Sequence, residues 1–303
     1  MKQNYGFIAD LFDHQYKGGA ELTTRALIES CPSPADAWMA NCNQITRQNL
    51  EDLYREDKIK NRKTKLIFGN FMSLDGSQMP VIMKNFDYYV IEYDYKFCQY
   101  RSPEKHEASE GDPCNCETRI QGQVIEQFYK MAQHVFFMSE KQRQVYAQRF
   151  PQWDMLNTTV LSSVFSKDEW KIIEDAKTLQ KGVIRNKFWT FQQSDSWIKG
   201  SIDSEDKAKE ISDNRVIAIE NLQKMELLNL FSGCAGFVFL PKGSDTCPRI
   251  VIEAKLMDCP TVMNNNVQHV SEPWFAHGTY ESMKEYLQGR PAVFWNLVSG
   301  KQC

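Results

Sequence analysis

Short apolar runs alternate with helical patterns along most of the chain, and this alternation restricts the fold more than any other feature. The strand-like runs are Tyr5–Ala9, Ala37–Cys42, Lys65–Gly69, Tyr88–Glu92, Val135–Met138, Thr158–Leu161, Phe188–Phe191, Val216–Ile219, Gly236–Leu240 and Thr261–Met263. Helical patterns separate them, for example at Ala20–Ser30 and Glu140–Arg149. Strands that are joined through helices form parallel sheets with helices on both faces. The sequence therefore predicts an α/β protein with parallel sheets.

The length of the chain predicts two domains. The chain has 303 residues, and domains hold roughly 100–200 residues each. A polar, helix-prone segment at 166–186 separates the two strand-rich halves. We predict a first domain over 1–170, a second over 171–290, and a final segment, 291–303, that packs back toward the first domain.

The composition is that of an ordinary globular protein, with 42% hydrophobic and 25% charged residues. No uncharged apolar stretch approaches the roughly 20 residues that span a bilayer. The first ten residues are too polar for a signal peptide and have the pattern of a strand. These features predict a cytoplasmic protein without a transmembrane segment. The net charge of −3 argues against a surface that is basic all over, but it allows a local basic patch.

The most specific pattern lies in Pro241–Ala254, where a loop leads from a predicted strand into a predicted helix. Pro248 is favoured in a first helical turn, and Arg249 follows it. A helix start presents unpaired N–H groups and a positive dipole end, so it suits a phosphate group. Glu253, about one turn further on, can accept hydrogen bonds from ribose hydroxyls, and Asp245 in the loop can bond a sugar. Two solvated acids near an ordinary helix start would give the same pattern.

This segment resembles the signature of family 4 glycosyltransferases, which is E-x7-E, an alanine and then a Gly-x-Pro-Val-Val strand. The chain has Asp245-x7-Glu253-Ala254 followed by Asp-Cys-Pro-Thr-Val, so its first acid has a shorter side chain. The resemblance implies a GT-B fold, in which the parallel sheets of two Rossmann-like domains face an interdomain cleft. It also implies a retaining enzyme that moves a sugar from a UDP-sugar donor to an acceptor hydroxyl. We expect no catalytic divalent metal, because the sequence has no Asp-x-Asp element.

Two glycines and a lysine resemble further elements of this family. Gly18 and Gly19 follow the first strand and open a helix, like the family loop that faces the donor phosphates. Lys199 precedes a glycine, like the family lysine that pairs with the donor diphosphate. A tight turn and a surface lysine would give the same residues. The family arginine five positions earlier is Ser194 here, and Arg249 could replace that cation.

Asp94 resembles the aspartate of the family's His-Asp-Tyr stretch, at the end of a strand in the first domain. Tyr93 takes the place of the histidine, so the usual histidine contact with the sugar is absent or altered. The resemblance implies that Asp94, Asp245 and Lys199 are catalytic. Negative charge grows on the leaving diphosphate in this reaction, and Lys199, the helix start at Arg249 and the amide of Gly19 can stabilise it. A turn aspartate is the alternative interpretation of Asp94.

Cys98, His106, Cys114 and Cys116 lie within 19 residues. Three thiolates and an imidazole form a suitable set of ligands for structural zinc. The spacing C-x7-H-x7-C-x-C is not that of a standard zinc finger, and free thiols beside an unconnected histidine would explain the same residues. We expect this segment to be a loop without a helix or strand, held together by the metal.

Charge and length suggest an acceptor. The chain is short for a GT-B enzyme and resembles compact glycosyltransferases of tailed phages, some of which modify hydroxymethylpyrimidine bases in DNA. The segment Lys58–Lys65 holds five cations in eight residues, which could follow a phosphate backbone together with Arg101 and Lys105. We therefore predict hydroxymethylated DNA as the acceptor, with a flipped-out base, in a phage-encoded protein that acts in the host cytoplasm.

Two alternatives remain open. A solvated loop would also explain the cations, because acids such as Glu51 and Asp57 lie among or near them. The acceptor would then be a lipid-linked or cell-surface glycan. The missing family arginine and histidine also fit a protein without catalysis that only binds a nucleotide sugar or DNA.

Overall fold

The computed structural model describes residues 2–300. Within this range, ten strands form two sheets, of six and four strands. The strands of the six-stranded sheet are β1 (Lys2–Ala9), β2 (Ala37–Asn41), β3 (Arg62–Phe68), β4 (Asp87–Glu92), β5 (His134–Phe137) and β6 (Thr158–Val160), in the order β2-β1-β3-β4-β5-β6. Those of the four-stranded sheet are β7 (Trp189–Gln192), β8 (Val216–Ile219), β9 (Gly236–Phe239) and β10 (Thr261–Met263), in the order β10-β9-β7-β8.

Helices connect the strands. They are α1 (Gly19–Glu29), α2 (Arg47–Ile59), α3 (Met79–Asn85), α4 (Pro103–Glu110), α5 (Ile120–Met131), α6 (Glu140–Arg149), α7 (Lys167–Leu179), α8 (Ser201–Ser212), α9 (Lys224–Gly233), α10 (Arg249–Leu256), α11 (Pro273–Ala276), α12 (Tyr280–Gln288) and α13 (Arg290–Ser299). Among residues 2–300, none of the helices combines the length and the apolar character needed to cross a membrane.

All pairings within both sheets are parallel, which confirms the predicted α/β class. Each strand-like run of the sequence holds a strand. The reason is visible in β4 and β9, which are buried along almost their whole length. A parallel strand covered by helices on both faces needs a continuous apolar run, and this is the pattern that the sequence displays.

The described chain divides into two compact units. The first holds the described residues up to 99, residues 115–166 and the described residues from 288 onward. The second holds residues 100–114 and 167–287. The last three residues of the predicted final segment, 301–303, lie outside the described residues.

An aromatic cluster forms part of the core of the first unit. The rings of Phe68 and Phe128 pack edge to face with centroids 5.4 Å apart, and Phe71 lies 5.5 Å from Phe128. Tyr88 stacks on Phe128 at 4.6 Å and donates a hydrogen bond to its carbonyl oxygen. Such ring pairs stabilise a core beyond their buried area.

The helix α13 completes the first unit. Trp295 packs edge to face on Tyr5 and donates from Nε1 to the carbonyl oxygen of Leu27. Near the helix end, Lys65 Nζ and Tyr89 Oη both donate to the carbonyl oxygen of Val298. The last carbonyls of a helix have no partner within the helix, so this buried lysine caps α13. Burial lowers the pKa of Lys65.

The four-stranded sheet of the second unit packs on α8, with Phe191, Ala208 and Val238 in its core. Gly236 is needed here, because a Cβ at this position would collide with the ring of Trp189 on the neighbouring strand. The loops that carry the candidate site leave the carboxyl ends of these strands, which is where parallel sheets bind their ligands.

The segment 98–116 differs from its prediction. It was expected to be a loop without a helix, but it contains α4. Ser102 caps this helix by accepting a hydrogen bond from the amide of Lys105, Pro103 occupies its first turn, and Gly111 ends it with φ of 80°. This is the usual combination of start and stop signals. The prediction was wrong because the helix is short and its sequence has no apolar periodicity, which is the main pattern that indicates a helix.

Candidate functional site

The loop between β9 and α10 is fixed to the segment that follows β10. The amide of Asp245 donates to the carbonyl oxygen of Asn266 at 2.8 Å, and the amide of Gln268 donates to that of Asp245 at 3.0 Å. Asn266 also donates from its side chain to the carbonyl oxygen of Pro241. The loop therefore holds Asp245 in place immediately before the start of α10 at Arg249, and Pro248 occupies the cap position.

Lys199 and Asp245 meet, although 45 residues separate them in the sequence. Lys199 Nζ lies 2.7 Å from Asp245 Oδ2, and both side chains are partly buried. Lys199 ends a short turn, and Gly200 follows with φ of 59°. A Cβ at Gly200 would collide with the carbonyl oxygen of Leu240, so glycine allows the close approach that delivers the lysine.

Glu253 is buried on α10 and pairs with Lys224, the first residue of α9. Lys224 Nζ also lies 3.7 Å from Glu169 on α7, and Glu169 pairs with Arg249. Arg249, Glu169, Lys224 and Glu253 thus form a chain of alternating charges. Buried charges need such partners, because leaving one uncompensated is costly.

Lys224 and Glu169 were not identified from the sequence. Lys224 follows the carboxyl end of β8 at the start of a helix, a position from which a cation could have been considered. Glu169 lies inside an amphipathic helix and gives no local signal. The guanidinium of Arg249, which the sequence offered as a phosphate cation, has Glu169 as a partner.

The two glycines of the first unit lie at the start of α1. Gly18 is the N-cap residue and has extended backbone angles, and Gly19 begins the helix. A Cβ at Gly18 would collide with the carboxylate of Glu21 and lie close to the ring of Tyr16. Both contacts are with the ends of side chains that can move aside, and the φ of Gly18 is −91°, so the local geometry does not by itself require glycine at this position.

Asp94 follows the carboxyl end of β4 and remains partly exposed, with a side-chain exposure of 19%. Its carboxylate lies 3.3 Å from the ammonium group of Lys96, a residue that is fully buried. Tyr93, which stands at the family's histidine position, shares a hydrogen bond of 2.8 Å with the hydroxyl of Thr24 on α1. The phenol thus connects this loop to the helix that begins with Gly19.

The structure brings the four predicted metal ligands together. Cys98, His106, Cys114 and Cys116 are all buried, and their ligand atoms lie within 4.8 Å of one another. Tetrahedral zinc with bonds of about 2.3 Å to sulfur holds its ligand atoms roughly 3.8 Å apart, so small adjustments would suffice. Three thiols and one imidazole form a complete set for a closed structural site. The arrangement fits zinc.

Local structure explains how these ligands converge. The amide of Cys98 closes a turn on the carbonyl oxygen of Tyr95, and His106 lies on α4. Cys116 begins a short 3-10 turn, and a Cβ at Gly122 would collide with its carbonyl oxygen. The first turn of α4 also contacts the loop before α10, since Ser244 donates to the carboxylate of Glu104.

Comparisons with known proteins agree with this architecture. No protein-family model matches the chain, and no curated protein is similar to it at a significant level. Among solved structures, Anabaena HepE in complex with UDP is similar, with a TM-score of 0.53, 13% identity and coverage of 99% of this chain and 97% of that chain. HepE in complex with UDP and glucose gives a TM-score of 0.51 and 12% identity, over 98% of this chain and 96% of that chain.

An alpha-glucosyltransferase in complex with UDP-glucose and DNA containing an abasic site is also similar, with a TM-score of 0.48 and 8% identity, over 99% of this chain and 95% of that chain. The match to HepE extends over nearly all of both chains. The present chain, with two parallel β-sheets whose strands are connected by helices, has the GT-B fold.

Proposed function

We propose that this protein is a retaining glycosyltransferase that moves a sugar from a UDP-sugar to an acceptor hydroxyl. The observation that carries the proposal is the arrangement at the start of α10. There, a lysine–aspartate pair, a helix start and a buried glutamate occur together in the second unit. The structural similarity to HepE, which was solved with UDP and with glucose, supports UDP-sugar as the donor class.

Each residue of the second unit has a role in the proposed site. Lys199 and the first amides of α10, after Pro248 and at Arg249, stabilise the charge that grows on the leaving diphosphate. Asp245 accepts hydrogen bonds from the donor sugar, and Glu253 accepts them from the ribose hydroxyls. We expect no divalent metal in the reaction, since the lysine and the helix start supply positive charge.

The first unit supplies the remaining groups. We propose that Gly18 and Gly19 present the start of α1 to donor phosphates, and that Asp94 contacts the sugar or the acceptor hydroxyl. The division into an acceptor-side domain at 1–170, a donor-binding domain at 171–290 and a returning segment at 291–303 is part of the same proposal.

A substitution at Glu253 tests the donor site. We expect Glu253→Ala to remove the increase in melting temperature that UDP gives the native protein, because a ligand stabilises only the state that binds it. Each lost charge-assisted hydrogen bond weakens binding by about 1.5–3 kcal/mol, or roughly 10- to 100-fold. Thermal shift and calorimetric titration with UDP measure the loss.

Two further variants control this experiment. Glu205→Ala removes an exposed acid on α8 that pairs with Lys209 at the surface, and it should bind UDP normally. Glu253→Gln preserves the shape of the side chain if the alanine variant is unstable. A folded Glu253→Ala protein with unchanged UDP affinity would contradict the site assignment.

For the acceptor, we propose a hydroxymethylpyrimidine base in DNA. Support comes from the basic segment at 58–65 in the first unit, where Lys60 and Lys63 remain about half exposed. Their partners are the surface acids Glu56 and Asp87. Exposed ion pairs of this kind are worth about 0–1 kcal/mol, so a DNA phosphate can replace either acid.

A glycan acceptor is the second candidate, and a specific observation favours it. Several cations of the same segment already have partners: Arg62 pairs with Asp57, Lys63 with Asp87, and Lys65 is buried against α13. This pairing lowers the positive potential that the sequence suggested. Binding of a nucleotide sugar or DNA without catalysis is the third candidate, and release of UDP from a UDP-sugar would rule it out.

We also propose that Cys98, His106, Cys114 and Cys116 hold a structural zinc ion. The support is their complete burial and the mutual distances of their ligand atoms. Four protein ligands leave no open position for substrate, so zinc here would stabilise the fold of the 98–116 segment and would not take part in the transfer.

A further inference from the structure

A buried pair of opposite charges lies directly beneath Asp94. Glu92 and Lys96 are both fully buried, and Lys96 Nζ lies 3.1 Å from Glu92 Oε2. The same ammonium lies 3.3 Å from Asp94 Oδ1. The lysine therefore joins an inaccessible carboxylate to one that solvent can reach.

Hydrogen bonds satisfy Glu92 completely. Its Oε1 accepts from the amide of Lys96 at 3.0 Å and from the hydroxyl of Tyr146 at 3.0 Å. Its Oε2 accepts from the ammonium of Lys96 and from the hydroxyl of Tyr129. Burial raises the pKa of Glu92, and the nearby charge of Lys96 opposes that rise. Glu92 is thus an anchor that keeps Lys96 in one place.

The backbone around Asp94 is fixed as firmly as the side chains. Gln142, on α6, donates from Nε2 to the carbonyl oxygens of Glu92 at 3.0 Å and of Asp94 at 2.7 Å. Its Oε1 accepts from the amide of Met138. A loop at the end of a strand normally has more freedom than this.

Stability alone does not account for the buried pair. Taking two charges out of water costs several kcal/mol for each ion, and an apolar pair of similar volume is often as stable. Buried charges with specific partners cluster at functional sites, where they set the charge of a neighbouring group. Glu92, Lys96 and Asp94 form a trio, and Asp94 is the member of this trio whose side chain is partly exposed. Asp94 is therefore the neighbouring group here.

We infer that Lys96 is a positioning residue, which holds the carboxylate of Asp94 ionised and in a single orientation for sugar transfer. The ion pair with Glu92 fixes the position of the Lys96 ammonium group, and the same ammonium group attracts the carboxylate of Asp94. This inference rests on the proposed function, because it assigns a partner to a residue of that site. Among the described residues of the first unit, the titratable groups that face Glu92, Lys96 and Asp94 include Tyr129 of α5 and Tyr146 of α6, which donate to Glu92, and Cys42 after β2, which is affected by the charge of Lys96.

The test compares Lys96→Met with the native enzyme in a pH profile of UDP-sugar turnover. Lys96→Met removes the ammonium group that lies 3.3 Å from Asp94 and leaves the nearby carboxylate of Glu92, so the charged form of Asp94 is disfavoured. Asp94 is then ionised only at higher pH, and the acid limb of the kcat profile should move to higher pH. Loss of orientation should lower kcat by roughly 100-fold, with an unchanged KM for the donor.

The controls separate this role from a structural one. Lys130→Met removes an exposed lysine of α5 that pairs with Glu126, and it should change neither kcat nor the profile. The double variant Glu92→Gln/Lys96→Met removes both charges of the buried pair, and it should shift the acid limb in the same direction as Lys96→Met but by less, because the repulsion from Glu92 is lost as well. A folded variant with the native acid limb and native kcat overturns the inference, and so does failure of both Lys96 variants to fold.

Asp94→Asn distinguishes the inference from the proposed function. If Asp94→Asn retains full activity, the proposed role of Asp94 fails and the inference fails with it. If Asp94→Asn is inactive while Lys96→Met keeps the native profile, only the inference fails.

Discussion

At the scale of single residues, ion pairing decides which charged side chains of the second unit are available to a ligand. The sequence offered Arg249 as the replacement for a missing phosphate cation, but its guanidinium pairs with Glu169. The cation that pairs with Glu253 is Lys224. Its side chain is 20% exposed, against 5% for Arg249. In the proposed donor site, Lys224 is therefore better placed than Arg249 to contact the nucleotide.

We expect Lys224→Met to weaken UDP binding by about 10-fold. The variant removes the cation that pairs with the buried carboxylate of Glu253 and orients it, so Glu253 becomes a poorer acceptor for ribose hydroxyls. Calorimetric titration with UDP measures the change. Lys207→Met, on the exposed side of α8, is the matched control and should bind normally. Equal UDP affinity in the Lys224→Met and Lys207→Met variants would show that Lys224 has no part in the site.

At the scale of the secondary-structure element, α4 connects two features that the sequence treated separately. It carries His106 of the cysteine cluster, and its first turn accepts a hydrogen bond from Ser244, next to Asp245. An eight-residue helix is marginal by itself in water. The helix therefore depends on what it contacts, and a metal bound through His106 would stabilise it.

Zinc content tests this element. We expect about one zinc ion for each purified chain by mass spectrometry, and loss of it in Cys114→Ser or His106→Ala. Zinc binding contributes directly to folding in sites of this kind, so both variants should melt at lower temperature. Cys31→Ser, at a buried cysteine outside the cluster, should keep its zinc. Metal-free native protein with an unchanged melting temperature would refute the zinc site.

At the scale of the whole molecule, ion pairs between basic and acidic side chains weaken the attraction of the protein for a negatively charged partner such as DNA. The net charge is −3, and the strongest basic segment of the sequence lies among acids in the structure. Long-range attraction to DNA depends on unpaired positive charge and falls with salt. A DNA acceptor would therefore be recognised at short range, through the exchange of surface acids for phosphates.

An acceptor assay decides between DNA and glycan. With a radiolabelled UDP-sugar, we expect transfer to hydroxymethylcytosine DNA and none to unmodified DNA, which lacks the acceptor hydroxyl. Binding to duplex DNA should weaken as salt rises from 50 to about 200 mM. Release of UDP without labelled DNA would indicate a glycan or another acceptor. Absence of both UDP release and labelled DNA would favour a binding protein.

The sequence by itself determined the local features. The apolar runs predicted all ten strands that lie within residues 2–300, because burial on both faces of a parallel sheet requires consecutive apolar residues. The four members of the cysteine cluster lie on one short segment, and their residue types suggested a metal site although their spacing is not that of a standard zinc finger. These features depend on neighbours in the chain, so they can be recognised before the fold is known. The helix α4 was not predicted, because its sequence indicates a helix only through the capping residues at its two ends and shows no apolar periodicity.

Tertiary structure decided which distant charges meet. The pairs Lys199–Asp245 and Lys224–Glu253 join residues far apart in the chain, and no local pattern specifies such contacts. The same is true of the support beneath Asp94, where Lys96 turns inward to meet Glu92, Tyr129 and Tyr146. A charged side chain next to a strand is ordinarily expected at the surface. Only the packing of α5 and α6 around it makes burial of the charge tolerable, and this packing is a property of the folded chain alone.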